Sequence, residues 1–140
     1  MIVCDTSGLF DAYDKDQRRH SIVMDVLNVE RGPFILSPFV LAELDYFVLT
    51  RLGIGIEDKV LGDVTQGAYE LCPMAAADIE QARQLTRRYA DLKIGLADAS
   101  IVVLAARYET TRILTFDERR FRTVKPLWGS AFTLLPGDAR

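Results

Sequence analysis

Four acidic residues fall where a folded chain makes charge costly. Asp5 closes the apolar run of residues 1–4, and Asp117 closes another at residues 112–116. If both runs are strands of one parallel sheet, the two carboxylates share the edge formed by the strand C-terminal ends, where ligands of such sheets bind. A helix N-cap or turn accounts for either aspartate taken singly. Asp98 carries more weight. At about 100° per residue it shares a helical stripe with Ile101, Val102 and Ala105, which faces the core. An ionised carboxylate there is costly without a compensating charge, although the nearby helix N-terminus helps somewhat. Glu43 lies in the almost wholly apolar segment 39–44. Asp45 competes with it, and a rotation of about 200° separates the two, so both cannot face one site. Periodicity leaves that choice open, and Glu43 is preferred because it sits closer to the end of a strand.

Carboxylates that converge without paired lysines repel one another and bind protons more tightly. A divalent cation removes the difficulty, and an all-oxygen set suits Mg²⁺ or Mn²⁺. Such a centre hydrolyses phosphodiesters by activating water and stabilising the leaving oxyanion. It needs no histidine, and the chain has only one, His20. That excludes a His-rich zinc site and the HExxH motif, and leaves a Ser-His-Asp triad only if His20 serves. The two cysteines, Cys4 and Cys72, lie in apolar runs and are expected as reduced, packed thiols rather than a disulfide framework.

The elements that must position these acids follow from punctuation and period. The 140 residues suit one domain over 1–140, and 17 Lys+Arg against 20 Asp+Glu give a net charge of −3. With 49% hydrophobic residues the chain is too apolar for disorder. It nowhere approaches the ~18–20 uncharged apolar residues of a membrane span. The N-terminus has no basic region and Asp5 breaks its apolar run, so no signal peptide is expected, and a cytoplasmic protein is. Residues 1–4 read as a buried parallel strand. Helices are expected over 6–12 and 18–28, the latter with Ile22, Val23, Val26 and Leu27 on one face. A strand at 34–36 leads into Ser37-Pro38, an N-cap followed by proline, and a helix ending at Gly53. Further helices at 56–67, 78–89 and 96–108 alternate with strands at 69–72, 112–116 and 132–135. Strands alternating with helices give a three-layer α/β/α architecture with a mostly parallel central sheet.

Asp5-Thr6-Ser7 after the first strand, Ala42-Glu43, Leu96-Ala97-Asp98-Ala99 and Thr115-Phe116-Asp117 with Phe121 together resemble a PIN domain. The length and N-terminal start resemble the VapC toxins of bacterial toxin–antitoxin pairs. The likeness covers essentially the whole chain. Each motif alone is weak, but four in order at suitable spacing are specific. The resemblance implies an Mg²⁺- or Mn²⁺-dependent endoribonuclease, inhibited by a small VapB antitoxin and expected as a homodimer. It implies Asp5 and Asp98 as principal metal ligands and Glu43 as the acid that completes the site and orients the attacking water. Asp117 would be the fourth acid, at the most variable position. The Ser7 and Thr115 hydroxyls would hydrogen-bond the carboxylates and fix their rotamers.

Arg119, Arg120 and Arg122 follow Asp117 and are expected to hold RNA phosphates, with Arg18, Arg19 and His20 a secondary group. Phe10 or Tyr13 near Asp5 could stack an unpaired base. An antitoxin seat is expected in an apolar groove between the second and third helices. Three other readings compete, one of them an aspartyl-phosphate phosphatase, which needs a second aspartate two residues after the first, where Ser7 stands. A receiver-type phosphoacceptor domain wants paired acids after the first strand, an aspartate after the third and a lysine after the last. Here Asp5 is single, Cys72-Pro73 ends the third strand, and no lysine ends a strand. A catalytically silent α/β interaction module would use the acids merely as helix caps.

Overall fold

The computed structural model describes residues 1–139. Three short apolar strands build the centre: β1 (Ile2–Cys4), β2 (Phe34–Leu36) and β4 (Arg112–Leu114). Ile2, Val3, Cys4, Ile35, Leu36, Ile113 and Leu114 are all fully buried, as strands covered on both faces must be. Each such Ile or Leu contributes roughly 1.5–3 kcal/mol by leaving water. β3 (Glu70–Leu71) and β5 (Thr133–Leu135) complete a five-stranded, wholly parallel sheet in the order β3-β2-β1-β4-β5. The chain winds outward from β1 to β3, then crosses back to lay β4 on the other side of β1. With right-handed crossovers this reversal puts helices on both faces, the expected three-layer arrangement. It also places a topological switch point, where such sheets open a ligand crevice, at the C-terminal ends of β1 and β4.

The helices are α1 (Thr6–Tyr13), α2 (His20–Val29), α3 (Pro38–Leu52), α4 (Ile54–Thr65), α5 (Ala76–Arg88), α6 (Leu96–Arg107) and α7 (Glu118–Thr123). α3 starts where its cap demands: Ser37 Oγ accepts the Phe39 N–H at 3.1 Å, and Pro38 occupies the first helical position. It stops at Gly53, whose φ of +94° few side chains would tolerate. α6 is buried continuously from Ala99 to Ala105, so its apolar surface wraps almost all round. Gly8 lets α1 approach β4. A Cβ there would meet Leu114 Cγ at 2.6 Å and the Leu114 carbonyl oxygen at 2.9 Å.

Several expectations are corrected. α2 buries Val23 and Val26, but Ile22 is half exposed. At about 100° per residue Ile22 lies some 90° from the mean direction of Val23, Val26 and Leu27. β3 is a two-residue edge strand with both side chains exposed, shorter than the expected 69–72. α7 occupies a stretch where no helix is expected. α1 packs against both α2 and α3, and α3 pairs with α4. The apolar cavity on that side, about 390 Å³, lies between α1, α2 and α4, against Met24, Leu27 and Ile56. Tyr13 points there, its hydroxyl on Asp63 Oδ2 at 2.7 Å and Tyr69 Oη at 2.8 Å, which removes it from the surroundings of Asp5. Cys4 and Cys72 are both buried and free.

Candidate active site

At the switch point opens a cleft of about 330 Å³, and Asp5, Glu43, Asp98 and Asp117 all line it. Asp5 comes from the end of β1, where it also caps α1: its Oδ1 accepts the Thr6 N–H at 2.8 Å. Its Oδ2 accepts the Thr115 hydroxyl at 2.6 Å and the Ser7 hydroxyl at 3.1 Å. Those two hydroxyls are themselves fixed by backbone. Ser7 Oγ accepts the Phe116 N–H at 3.0 Å, and Thr115 Oγ1 accepts the Asp117 N–H at 2.9 Å. The ends of β1 and β4 are thereby stitched together around one carboxylate.

Two effects on Asp5 oppose each other, and burial wins. With 4% of its surface exposed, desolvation is the largest influence and raises its pKa. The Thr115 hydrogen bond works against it, the charge of Asp98 adds to it, and the Thr6 and Ser7 donors again oppose it. The carboxyl ends pushed up to about 6. An ionised Asp5 is therefore costly in this pocket without a cation beside it.

Asp98 sits in the first turn of α6, below Gly95. Its pKa is also raised, first by burial; Arg120 lowers it while Asp117 and Glu43 raise it further. Arg120 Nη1 donates to Asp98 Oδ2 at 3.0 Å and stands 3.4 Å from Asp117 Oδ2. Asp117 caps α7, accepting the Arg120 N–H on Oδ1 at 3.2 Å. Asp5 and Asp117 are therefore helix caps and cleft residues at once, two roles that need not exclude each other.

Glu43 reaches the cleft from α3 as an exposed side chain. Asp45 does not line it; it meets Glu57 of α4, and their shared hydrogen bond raises the Glu57 pKa. A buried pair behind the acids holds α3 and α6 in register: Ser37 Oγ and Ser100 Oγ are 2.7 Å apart, and Ser100 also donates to the Ala97 carbonyl at 2.6 Å.

The three arginines after Asp117 part company. Arg120 turns into the cleft, whereas Arg119 and Arg122 do not line it. Arg122 pairs with Asp138 at 2.6 Å and Glu118 at 2.8 Å, and Arg119 is exposed. The cleft wall instead includes Phe10, Gln17, Arg19, Phe47 and Arg51. Arg51 lies over Phe47 at 4.8 Å, and Arg19 covers Phe116 at 3.7 Å while pairing with Asp11 at 2.9 Å. Sequence reasoning missed Phe47 and Arg51. The signal was their four-residue spacing from Glu43, which puts all three on one face of α3.

Among the described residues no three His, Cys, Asp or Glu side chains stand close enough to enclose an ion alone. A Mg²⁺-type ion does not require that, since it retains waters and takes one or two carboxylates directly. The donor set is all oxygen: Asp5 has only neutral donors, and Asp98 stays raised in pKa even beside Arg120, so these residues fit such an ion.

A parallel sheet of this order, with an acidic cleft at its switch point and an aspartate capping the helix after β1, defines a class. The PIN domain family model matches residues 2–126, and the chain belongs to that family. Ribonuclease VapC26 of Mycobacterium tuberculosis is 42% identical over 135 residues, spanning 96% of this chain and 100% of that protein. Among solved structures, the sarcin-ricin loop cleaving toxin VapC20 of Mycobacterium tuberculosis superposes with a TM-score of 0.78 at 18% identity, over 84% of this chain and 90% of that one. VapBC2 from Rickettsia felis, bound to a DNA fragment from its promoter, gives 0.67 at 20% identity, over 96% and 98%. At those identities the two structures speak to the fold. PIN-domain ribonucleases are generally dependent on a divalent metal ion.

Proposed function

We propose that this chain is an endoribonuclease of the VapC type, the toxin of a toxin–antitoxin pair, cutting RNA phosphodiesters at the acidic cleft. The observation that carries this is the arrangement of Asp5: a buried carboxylate locked by three donors, facing Asp98, at the sheet's switch point. The likeness to Ribonuclease VapC26 over nearly the whole chain supports the same reading. Asp5 and Asp98 are the residues that would hold the ion, taken here as Mg²⁺ or Mn²⁺. When bound, such an ion polarises a water and offsets the charge developing on the leaving oxygen.

The chain's own groups do the rest. Ser7 and Thr115 hold the Asp5 carboxylate in one rotamer, so the site is ordered before substrate arrives. Exposed Glu43 orients a water and accepts its proton as the water oxygen bonds to phosphorus and the bond from phosphorus to the leaving oxygen breaks. Asp117 is the fourth acid of the same wall. An anionic backbone must approach an acidic floor, and the cations for this are Arg51 over Phe47 and exposed Arg119. Phe47 also offers a face for an unpaired base. The phosphate contacts set affinity without reading sequence. The setting is cytoplasmic, with a VapB-type antitoxin as protein partner and a homodimer as the assembly. No helix among the described residues is long and apolar enough to cross a membrane.

Metal removal tests the reaction. The purified chain should cleave structured RNA with Mn²⁺ or Mg²⁺, stop on EDTA, and resume when the ion is returned in excess. Cleavage undiminished by EDTA would overturn the metal-dependent mechanism. A receiver-type protein would instead form a labile acyl phosphate with a small phosphodonor.

A further inference from the structure

One guanidinium nitrogen stands against two carboxylates in the cleft. Arg120 Nη1 lies 3.0 Å from Asp98 Oδ2 and 3.4 Å from Asp117 Oδ2. Its backbone N–H meanwhile holds the other Asp117 oxygen at 3.2 Å, so α7 delivers the side chain and fixes Asp117 together. The Asp98 side chain is 13% exposed and that of Arg120 37%, so solvent screens the attraction from the arginine side only. Arg120 is thus a positive charge placed on the same oxygens that the acidic cleft offers to a divalent ion.

We propose that Arg120 is a built-in counter-cation of the cleft: it holds Asp98 and Asp117 together in the metal-free chain and competes with the divalent ion for Asp98. The inference rests on Asp98 being a ligand, as read above. Two effects act in the same direction. A guanidinium paired to Asp98 must yield that oxygen before an ion takes it, and a fixed positive charge nearby repels an incoming dication. In the metal-free chain the same charge offsets the repulsion among Asp98, Asp117 and Glu43, which would otherwise load the first turns of α6 and α7.

The test reads metal binding directly. Mn²⁺ is titrated into the parent and into the R120Q, R120K and D98N variants, free Mn²⁺ being followed by electron paramagnetic resonance. Thermal melts are recorded with and without the ion. R120Q should bind Mn²⁺ roughly tenfold tighter than the parent, the size of change one opposite charge at this range makes in a carboxylate's proton affinity. It should also melt lower than the parent without metal and gain more from Mn²⁺. R120K, which keeps the charge, should stay near the parent. Parent-like or weaker binding by R120Q, with binding lost in D98N, would leave Asp98 a ligand and overturn the counter-cation role. R120K binding as tightly as R120Q would overturn it too, since charge would not be the cause. Parent-like binding by D98N would remove Asp98 as a ligand and this inference with it.

Discussion

Asp5 shows how much one side chain is asked to do. It caps α1, joins β1 to β4 through two hydroxyls, and lends its charge to the cleft. Burial against three donors leaves its pKa raised from 3.8 to about 6, so the fold favours the protonated form. The sign of the pH dependence follows. In that window the native state holds a proton that the unfolded chain has lost, so the contribution is fully present below pH 3.8 and is lost as pH rises through 6. At 1.36 kcal/mol per unit the loss is on the order of 2–3 kcal/mol. Melting curves of the metal-free protein between pH 4 and 7 should fall with pH more steeply for the parent than for D5N, which should melt as high or higher at pH 7. Equal slopes would contradict the assignment. Of the site, the acids Asp5, Asp98 and Asp117 were legible because each interrupts an apolar pattern. The Glu43–Asp45 choice was not settled by pattern, since α3 is apolar nearly all round. Nor was the fate of Arg120 or Arg122, because a run of arginines looks alike whether it meets RNA phosphate or Asp98, Asp138 and Glu118.

Elements were legible in proportion to their punctuation. Ser37-Pro38 and Gly53 mark both ends of α3, and its bounds follow. α7 escaped because six residues are too few to show a helical period; only the capping Asp117 announces it. β3 was readable as a strand but not as an exposed edge, since two residues carry no alternation. The closeness of α1 to β4 was also hidden, for nothing local says that Gly8 touches Leu114. That contact holds the Ser7–Asp5–Thr115 network in register. Gly8→Ala should therefore lower stability by about 1–3 kcal/mol through overpacking, measured by urea unfolding. It should also reduce cleavage by more than the loss of folded protein explains. A variant with parent-like stability and rate would show that α1 can shift without disturbing Asp5.

For the whole molecule, the parallel sheet and the shared edge for Asp5 and Asp117 follow from strand–helix alternation. The order β3-β2-β1-β4-β5 does not, because strand adjacency is a long-range choice among runs of similar composition. That order is what makes a site. The reversal at β1 opens the crevice, and residues from β1, α3, α6 and the end of β4 reach it across more than a hundred positions of sequence. Convergence of like charges costs stability in the metal-free state and is justified only by what the cleft binds and does. The decisive measurement is the single-turnover cleavage rate of a labelled RNA by D98N in saturating Mn²⁺, beside its thermal melt. The account predicts a melt at or above the parent's, with cleavage reduced at least a hundredfold, about 2.7 kcal/mol of transition-state stabilisation. A D98N protein that cuts like its parent would contradict it.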